Sequence, residues 1–287
     1  TVRDIDTSFT GADQTRYRLN IFRQKGHTAL AIRLLNDHIP TMQELGLPPV
    51  LHKLCALPRG LVLVTGPTGS GKSTTLASMI DEINQLKHCH ILTMEDPIEY
   101  VHEHKNCMVN QREIGRDSDN YLAALKSALR EDPDVILIGE LRDYETISLA
   151  VSAAETGHLV FATLHTRGAT QTIDRMVDVF PAHQQGQIRT QLANCLRAVI
   201  SQQLLPRQDK DGRVAAFEIM IVNDAIANLI RESKTFQIPT IMQTNLKEGM
   251  ILLDNDLVNL VRAGIIDYET ALTKCNDPAA IRKAMPY

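Results

Sequence analysis

The chain has 287 residues, 44% of them hydrophobic and 22% charged, a composition typical of an ordinary globular protein of about two domains. Its net charge is −4 and its pI is about 6.2, whereas proteins that bind nucleic acid non-specifically are usually basic, so no direct nucleic-acid partner is expected. No apolar run reaches the length of about 18 residues that suggests a spanning helix, and the five cysteines form no C-x-x-C pair, which argues against a disulfide framework or a four-thiolate zinc site.

Residues 1–47 are predicted to be the C-terminal part of a smaller domain and its linker. Tyr17–Arg23 and Thr28–Leu35 have the pattern of strands. Four arginines occur on them: Arg16, Arg18, Arg23 and Arg33. These arginines either cover solvated strand faces or, for one or two of them, reach a nucleotide phosphate, because a guanidinium suits phosphate oxygens. Proline and glycine at Gly46–Pro49 mark the expected domain boundary.

Gly66–Ser73 matches the phosphate-binding pattern G-x-x-x-x-G-K-[ST] at every fixed position. The apolar run Leu61–Val64 precedes it as a predicted strand, and Thr74–Ile80 follows with helical spacing. This arrangement surrounds an anion with backbone N–H groups and a helix N-terminus. The residues expected to bind the nucleotide are Gly66, Pro67, Thr68, Gly69, Ser70, Gly71, Lys72, Ser73 and Thr74. Lys72 would reach the β- and γ-phosphates and Ser73 would ligate Mg²⁺, so the expected cofactors are ATP and Mg²⁺.

From Arg59 to about Leu205, apolar runs alternate with amphipathic helices, which predicts an α/β domain with a parallel sheet. The further predicted strands are His90–Met94, Val135–Ile138, Leu159–Thr163 and an edge strand, Arg213–Val222. The predicted helices are Val50–Ala56, Ser118–Arg130, Tyr144–Glu155, Thr170–Asp178 and Ala182–Gln202, with Ser118 or Asp119 as a cap. After Asn223 the pattern predicts only short helices, at Ala225–Arg231, Leu246–Ala263 and Tyr268–Lys274. The predicted domains are therefore 1–47, 48–222 and 223–287.

Polar side chains follow three of the predicted strands, and ligands of open parallel sheets bind at such strand ends. Glu140 directly follows an apolar strand and is assigned to the metal shell and to water activation. Glu99 is the candidate general base, with Glu95 and Asp96 as alternative metal-shell residues. Any of these carboxylates could instead cap a helix or remain solvated, and the choice of base among Glu95, Glu99 and Glu140 stays open.

Two histidines flank the strand predicted at Leu159–Thr163. His165 follows the strand and could contact the γ-phosphate. His158 precedes the strand and could contact the nucleotide from the opposite end or simply bond to the backbone. For a lone histidine the structural role is the more frequent one.

Four ordered motifs resemble those of the PilT family of type IV pilus retraction motors, within the wider secretion ATPase superfamily. They are the run Gly60–Leu76, the aspartate box at His90–Tyr100, the atypical second nucleotide motif at Asp132–Asp143 and the histidine box at Thr156–Thr166. The similarity extends from about Tyr17 to Gly264, most of the chain.

This resemblance implies a hexameric ATPase ring at the cytoplasmic face of the inner membrane. It implies a truncated PAS-like α+β domain joined by a flexible linker to a RecA-like domain, which small C-terminal helices follow. Arg18 and Arg33 stand where the family has arginines that approach the γ-phosphate, and His158 and His165 occupy the two histidine positions of the family. The implied partner is a membrane platform protein, through which ATP hydrolysis drives pilus retraction and twitching motility.

Other functions remain open at this point. The absence of an inserted C-x-x-C…C-x-x-C element favours retraction over extension or secretion, although Ala227 replaces an arginine of the retraction signature A-I-R-N-L-I-R. A type IV secretion or DNA-uptake motor of the same superfamily is one alternative. A nucleotide-gated adaptor with little hydrolysis is another, and the presence of Glu99 and Glu140 argues against it. A nucleic-acid translocase is disfavoured by the acidic pI and the few aromatic residues.

Overall fold

The structure, a computed structural model, describes residues 4–13, 15–35 and 38–285. Residues 1–3, 14, 36, 37, 286 and 287, which fall in the first and last predicted domains, lie outside the described residues. The strands are β1 (Asp4–Thr10), β2 (Arg16–Gln24), β3 (His27–Leu34), β4 (Gly60–Thr65), β5 (His90–Glu95), β6 (Met108–Glu113), β7 (Val135–Ile138), β8 (Leu159–Leu164), β9 (Leu196–Pro206) and β10 (Arg213–Ile221). The helices are α1 (Val50–Cys55), α2 (Lys72–Leu86), α3 (Tyr121–Ala128), α4 (Tyr144–Thr156), α5 (Ala169–Asp178), α6 (Ala182–Cys195), α7 (Asp224–Arg231), α8 (Ile238–Thr244), α9 (Leu253–Arg262), α10 (Tyr268–Lys274) and α11 (Pro278–Ala284).

The predicted α/β fold is confirmed. A small antiparallel sheet has the order β1-β2-β3, and a larger mixed sheet has the order β10-β9-β4-β8-β7-β5-β6. In the larger sheet β4 pairs in parallel with β8 and β9, and β5 pairs in parallel with β6 and β7. Strand β10 pairs antiparallel with β9 at one edge, as predicted for this segment.

The chain divides into two compact units, and the first comprises residues 1–47 and 73–139. In this unit the Arg16 guanidinium donates to the carbonyl oxygens of Ile98 (3.0 Å) and Glu99 (3.5 Å), and the Ser8 hydroxyl donates to Glu113 (3.2 Å). The Arg16 bonds connect the small sheet to the segment that follows β5, and the Ser8 bond connects it to the end of β6. The side chains of Leu30, Ile32 and Leu34 on β3 are exposed.

The second unit comprises residues 48–72 and 140–287 and contains β4, β8, β9 and β10. Strand β4 has a neighbour on each side, and it is buried along its whole length. A parallel strand that is buried on both faces has a continuous apolar sequence, as β4 does. Helices α9, α10 and α11 pack around a core with β9 and β10. The buried members of that core are Leu205, Ala216, Leu253, Leu257, Val258, Ile266, Ala271 and Ile281.

The helix predicted at Ala182–Gln202 is wrong in its second half. Helix α6 ends at Cys195, and β9 begins at the next residue with no intervening loop. Ala198, Val199 and Ile200 are fully buried in this strand between β4 and β10. Tertiary pairing imposes the strand here, and no glycine or proline in the sequence marks the change from helix to strand.

Other local predictions also need correction. Strands β1 and β6 were not predicted. Helix α3 is shorter than predicted, and Asn120 caps it by accepting from the Ala123 N–H (2.9 Å), in place of Ser118 or Asp119. The segment predicted as one helix from Leu246 to Ala263 is a three-residue 3₁₀ turn, a bridge at Ile251 and helix α9. The predicted domain boundaries at 47/48 and 222/223 stay a prediction.

Within the described ranges, no helix combines the length and the apolar composition needed to cross a bilayer.

Because α9 shares a core with β9 and β10, Leu257→Ala should lower the free energy of unfolding by about 2–5 kcal/mol. The matched control is Leu246→Ala, whose leucine is 46% exposed and whose substitution should cost less than about 1 kcal/mol. Urea denaturation followed by circular dichroism measures both. Equal effects of the two substitutions would contradict the shared core.

Candidate functional site

The loop Gly66–Ser73 joins β4 to α2, and its first glycine has a conformation that other residues rarely adopt. Gly66 has φ of +140°, and a Cβ atom there would lie 2.3 Å from the carbonyl oxygen of Gln202. Gly71 also has a positive φ, of +89°. The glycines that the motif requires are therefore needed both for backbone conformation and for close packing.

The Lys72 side chain folds back inside this loop. Its ammonium donates to the carbonyl oxygens of Gly66 (2.9 Å) and Pro67 (3.2 Å), and the residue is only 9% exposed. A largely buried ammonium requires such oxygen partners, because desolvation without them is costly. The loop thus keeps a positive charge at the place where the sequence predicts an anion.

Strand β9 holds the loop through a side-chain hydrogen bond. The Gln202 side-chain amide, almost fully buried, donates to the Ser70 carbonyl oxygen (2.6 Å), while the Ser70 N–H donates to the Pro67 carbonyl (3.1 Å). The sequence reasoning missed Gln202 because it assigned that residue to a helix. No local signal identifies it, since its role depends on the pairing of β9 with β4.

Glu140, His165 and Arg142 form a charged cluster in the same unit as the loop. Arg142 donates to Glu140 Oε2 (2.6 Å), and His165 Nε2 lies 3.3 Å from Glu140 Oε1. Partial burial alone would raise the pKa of Glu140, but Arg142 and then His165 outweigh burial and lower it. Glu140 is therefore ionised at neutral pH. The sequence predicted Glu140 and His165 as site residues and missed Arg142.

A backbone bond positions this cluster. The Leu141 N–H donates to the Thr163 carbonyl oxygen of β8 (3.0 Å). Strand β8 pairs with β4 in parallel, with Thr65 opposite Leu164, so the phosphate loop and His165 follow the same ends of neighbouring strands. The strand-end arrangement that the sequence predicts is therefore present for these two motifs.

The turn after His165 is held by the buried Ser201 of β9 and the half-buried Glu218 of β10. The Ser201 hydroxyl accepts from the Gly168 N–H (2.9 Å), and Glu218 accepts from the Ala169 N–H at the start of α5 (2.8 Å). Burial raises the pKa of Glu218. Both residues border a cavity of about 170 Å³, which also reaches Pro67 of the phosphate loop and Asn276. Sequence reasoning missed Ser201 and Glu218 because they act through long-range contacts.

The structure does not bring His158 to the phosphate loop within the chain. The His158 ring bonds to the Ala153 carbonyl (2.9 Å), and its own carbonyl accepts from the Gly60 N–H (3.0 Å). It therefore precedes β8 at the end opposite His165, roughly 20 Å away for six extended residues. The geometry agrees with the structural role considered for His158, and nucleotide binding by it stays a prediction.

In the first unit, Glu95 ends β5 and is held by two donors. The Thr93 hydroxyl (2.7 Å) and the Gln111 amide (3.2 Å) both donate to Glu95 Oε1. Burial nevertheless raises the pKa of Glu95 to about 7. Glu99 is half-buried, and its backbone carbonyl accepts from Arg16. Glu95 is therefore a carboxyl that titrates near neutral pH, a property that the sequence could not reveal.

Arg18 and Arg33 face each other across β2 and β3. They are paired in the register of the two strands, so both lie on one face of the small sheet, the face that also carries Arg16. Arg18 is half-buried and Arg33 is exposed. A guanidinium is a planar donor that suits phosphate oxygens, which is the contact expected from the sequence for these two residues.

The comparison with known proteins gives a consistent family. The family model described as type II/IV secretion system protein matches residues 10–271. The type IV pilus retraction ATPase PilT of Pseudomonas aeruginosa is 53% identical over 275 residues, which cover 96% of this chain and 80% of that protein. The twitching motility protein of Neisseria gonorrhoeae is 52% identical over 268 residues, which cover 93% of this chain and 72% of that protein.

A solved structure has the same fold. The crystal structure of the pilus retraction motor PilT with bound ADP superposes with a TM-score of 0.92 at 50% sequence identity. The match covers 98% of this chain and 80% of the other.

Gly66→Ala should lower the free energy of unfolding by about 2–4 kcal/mol, because the new Cβ meets the Gln202 carbonyl at a positive φ. Gly186→Ala is the matched control. Gly186 lies within α6 with open space around it, so alanine there should be neutral or stabilise by up to about 1 kcal/mol. Thermal and urea denaturation measure both, and a tolerated Gly66→Ala would contradict the close packing of loop on strand.

Glu95→Gln should change the pH dependence of stability. A carboxyl whose pKa is raised on folding binds its proton more tightly in the folded state, so it lowers stability as pH rises from about 4.5 to about 7. The amide keeps an acceptor for Thr93 and Gln111 without this penalty. At pH 8 the variant should be more stable by about 1–3 kcal/mol, and at pH 4.5 the difference should be small. Urea midpoints across this range test it, and a difference that does not vary with pH would contradict it.

Proposed function

The chain belongs to the type II/IV secretion system protein family, and we propose that it is a Mg²⁺-dependent ATPase that powers type IV pilus retraction and so twitching motility. The observation that carries this proposal is the phosphate loop, which folds a largely buried Lys72 ammonium against the Gly66 and Pro67 carbonyls. The names of its relatives support the choice of retraction, since a pilus retraction ATPase is 53% identical in sequence to this chain and a twitching motility protein is 52% identical.

In this proposal the residues from Gly66 to Thr74 bind ATP. Lys72 leaves the carbonyls of its own loop and neutralises charge on the β- and γ-phosphates. The start of α2 at Lys72 adds the positive end of a helix to the same place. The PilT structure with ADP supports nucleotide binding by analogy.

The residues present fit Mg²⁺. Ser73 supplies a hydroxyl in the first turn of α2, and Glu140 supplies a carboxylate that Arg142 and His165 keep ionised. Mg²⁺ usually retains several waters and takes its other ligands from few protein groups and from phosphates. When bound, Mg²⁺ supplies charge neutralisation on the phosphates. Glu95 is a weaker candidate ligand, because its Oε1 accepts two hydrogen bonds and its pKa is raised.

Glu99 is the proposed general base, a role for which a half-buried and accessible carboxylate is suited. Glu95 is the alternative, since a pKa near 7 matches a base that works at neutral pH. His165 is proposed to contact the γ-phosphate while it remains in contact with Glu140. Arg18 and Arg33, which are opposite each other on β2 and β3, are proposed to approach the γ-phosphate, because a guanidinium suits phosphate oxygens.

The proposed assembly is a homo-hexamer at the cytoplasmic face of the inner membrane, coupled to a platform protein of that membrane. Residues 1–47 would form part of a PAS-like domain, residues 48–222 a RecA-like domain and residues 223–287 a helical region. These statements rest on the family and on the likeness to the PilT structure.

Lys72→Ala and Glu140→Gln should each reduce steady-state phosphate release from Mg-ATP by about 100-fold or more, because each removes a charge that acts on the transferring phosphoryl group. The measurement is a coupled phosphate assay on the assembled protein. Lys126→Ala and Glu145→Gln are the matched controls. They remove the same charges from exposed residues on α3 and α4.

Full turnover in the Lys72 and Glu140 variants would overturn the ATPase proposal. So would an assembled wild-type protein that binds ATP without releasing phosphate, which is the behaviour of a nucleotide-gated adaptor.

A further inference from the structure

Two cysteines that are far apart in the sequence lie in contact in the first unit. The Sγ atoms of Cys89 and Cys107 are 3.4 Å apart. Each cysteine immediately precedes a strand, Cys89 before β5 and Cys107 before β6. The register of the two strands places His90 opposite Met108, so the two cysteines are opposite each other as well. The Met108 N–H donates to the Cys89 carbonyl (3.0 Å), which holds the two backbones together.

The surroundings make the two thiols unequal. Cys107 is 3% exposed, and its thiol donates to the Lys87 carbonyl oxygen (3.0 Å). Its N–H also donates to the buried Asn84 side chain (3.3 Å). Cys89 is half-buried, so a small molecule reaches it first.

We propose that Cys89 and Cys107 are a reversible disulfide pair, which closes by exchange with a low-molecular-weight disulfide such as glutathione disulfide. The Cys89 thiolate attacks one sulfur of glutathione disulfide, forms a mixed disulfide and releases one glutathione thiolate. The Cys107 thiolate then attacks the Cys89 sulfur and releases the second glutathione thiolate. The protein loses two hydrogens, and the protons are taken up by the two glutathione thiolates.

The geometry requires little movement. Neighbouring strands lie about 4.8 Å apart, which is within the Cα separation of about 4.4–6.8 Å found for disulfides. The sulfur atoms need to approach by only about 1.3 Å to form the bond. Side-chain rotation accounts for a change of this size without displacement of β5 or β6.

The bond would close the segment 89–107, which carries Glu95 and Glu99. This segment is already fastened to α2 at its far end. The Asn84 amide donates to the Glu103 carbonyl (2.7 Å), and Lys105 pairs with Asp81 (2.7 Å). A disulfide would add a covalent clamp to this non-covalent attachment, and the clamp can be opened again by reduction.

The surroundings of Cys89 also predict how the rate of disulfide exchange depends on pH. Burial and then the hydrogen bond and charge of the neighbouring Cys107 raise the pKa of Cys89 above the ordinary value of a thiol. Because the thiolate is the nucleophile, the exchange rate should increase about tenfold for each pH unit between pH 7 and 9. This slope distinguishes the folded pair from an exposed cysteine, whose rate levels off above about pH 8.5.

The experiment uses the full chain with an excess of glutathione disulfide at pH 8.5, followed by acid quenching and peptide mass spectrometry. The expected product links the peptides of Cys89 and Cys107, is lighter by two hydrogens and disappears on reduction with dithiothreitol. The melting temperature of the oxidised protein should rise by a few degrees, because the unfolded chain loses loop entropy.

Two variants separate the steps. Cys107→Ser keeps a donor for Lys87 and should stop at the mixed disulfide, with one glutathione on Cys89. Cys89→Ser should give neither product at these positions. Glutathione that stays on Cys89 of the wild-type protein, or a bond that forms only in urea, would overturn the proposal. An exchange rate that levels off at pH 8.5 would also count against it.

Discussion

The largely buried ammonium of Lys72 is the charge around which this nucleotide-site architecture is arranged. Two carbonyl oxygens of its own loop hold it at 2.9 and 3.2 Å. The carbonyl oxygens accept hydrogen bonds from the ammonium, and a phosphate oxygen is a stronger, charge-assisted acceptor for the same group. Glycine is needed at position 66 because the loop that holds Lys72 passes so close to the Gln202 carbonyl of β9 that a Cβ atom would not fit.

The candidate site residues lie at the ends of paired, buried strands behind the phosphate loop. Strand β4 is fully buried between β8 and β9, so the loop that leaves it and the histidine that follows β8 have fixed positions. Ser201 and Glu218 then hold the backbone of the turn after His165. The charged side chains that would respond to a nucleotide therefore lie at the edge of a buried sheet. Glu218 also accepts a hydrogen bond from Asn276 in the C-terminal region, which links that region to the turn after His165.

The sequence predicted those parts of the molecule whose signal is local. The phosphate loop, its strand and the strands β5, β7 and β8 follow from short apolar runs and a spaced motif, and the identification of the family from four motifs is confirmed. The strand β9 was predicted as a helix because its identity comes from pairing with β4 and β10. For the same reason the sequence did not reveal Gln202 under the loop or the contact of Cys89 with Cys107. These contacts join residues through the fold, and no pattern in the chain encodes them. The individual roles of the site residues stay predictions.

The central claim, that Lys72 exchanges loop carbonyls for phosphate, is tested most directly by a crystal structure of this chain with Mg²⁺ and ADP. We expect the Lys72 Nζ atom to lie within hydrogen-bond distance of a β-phosphate oxygen and to have left the Gly66 carbonyl. A structure in which Nζ keeps both carbonyls while ADP is bound elsewhere would contradict the account.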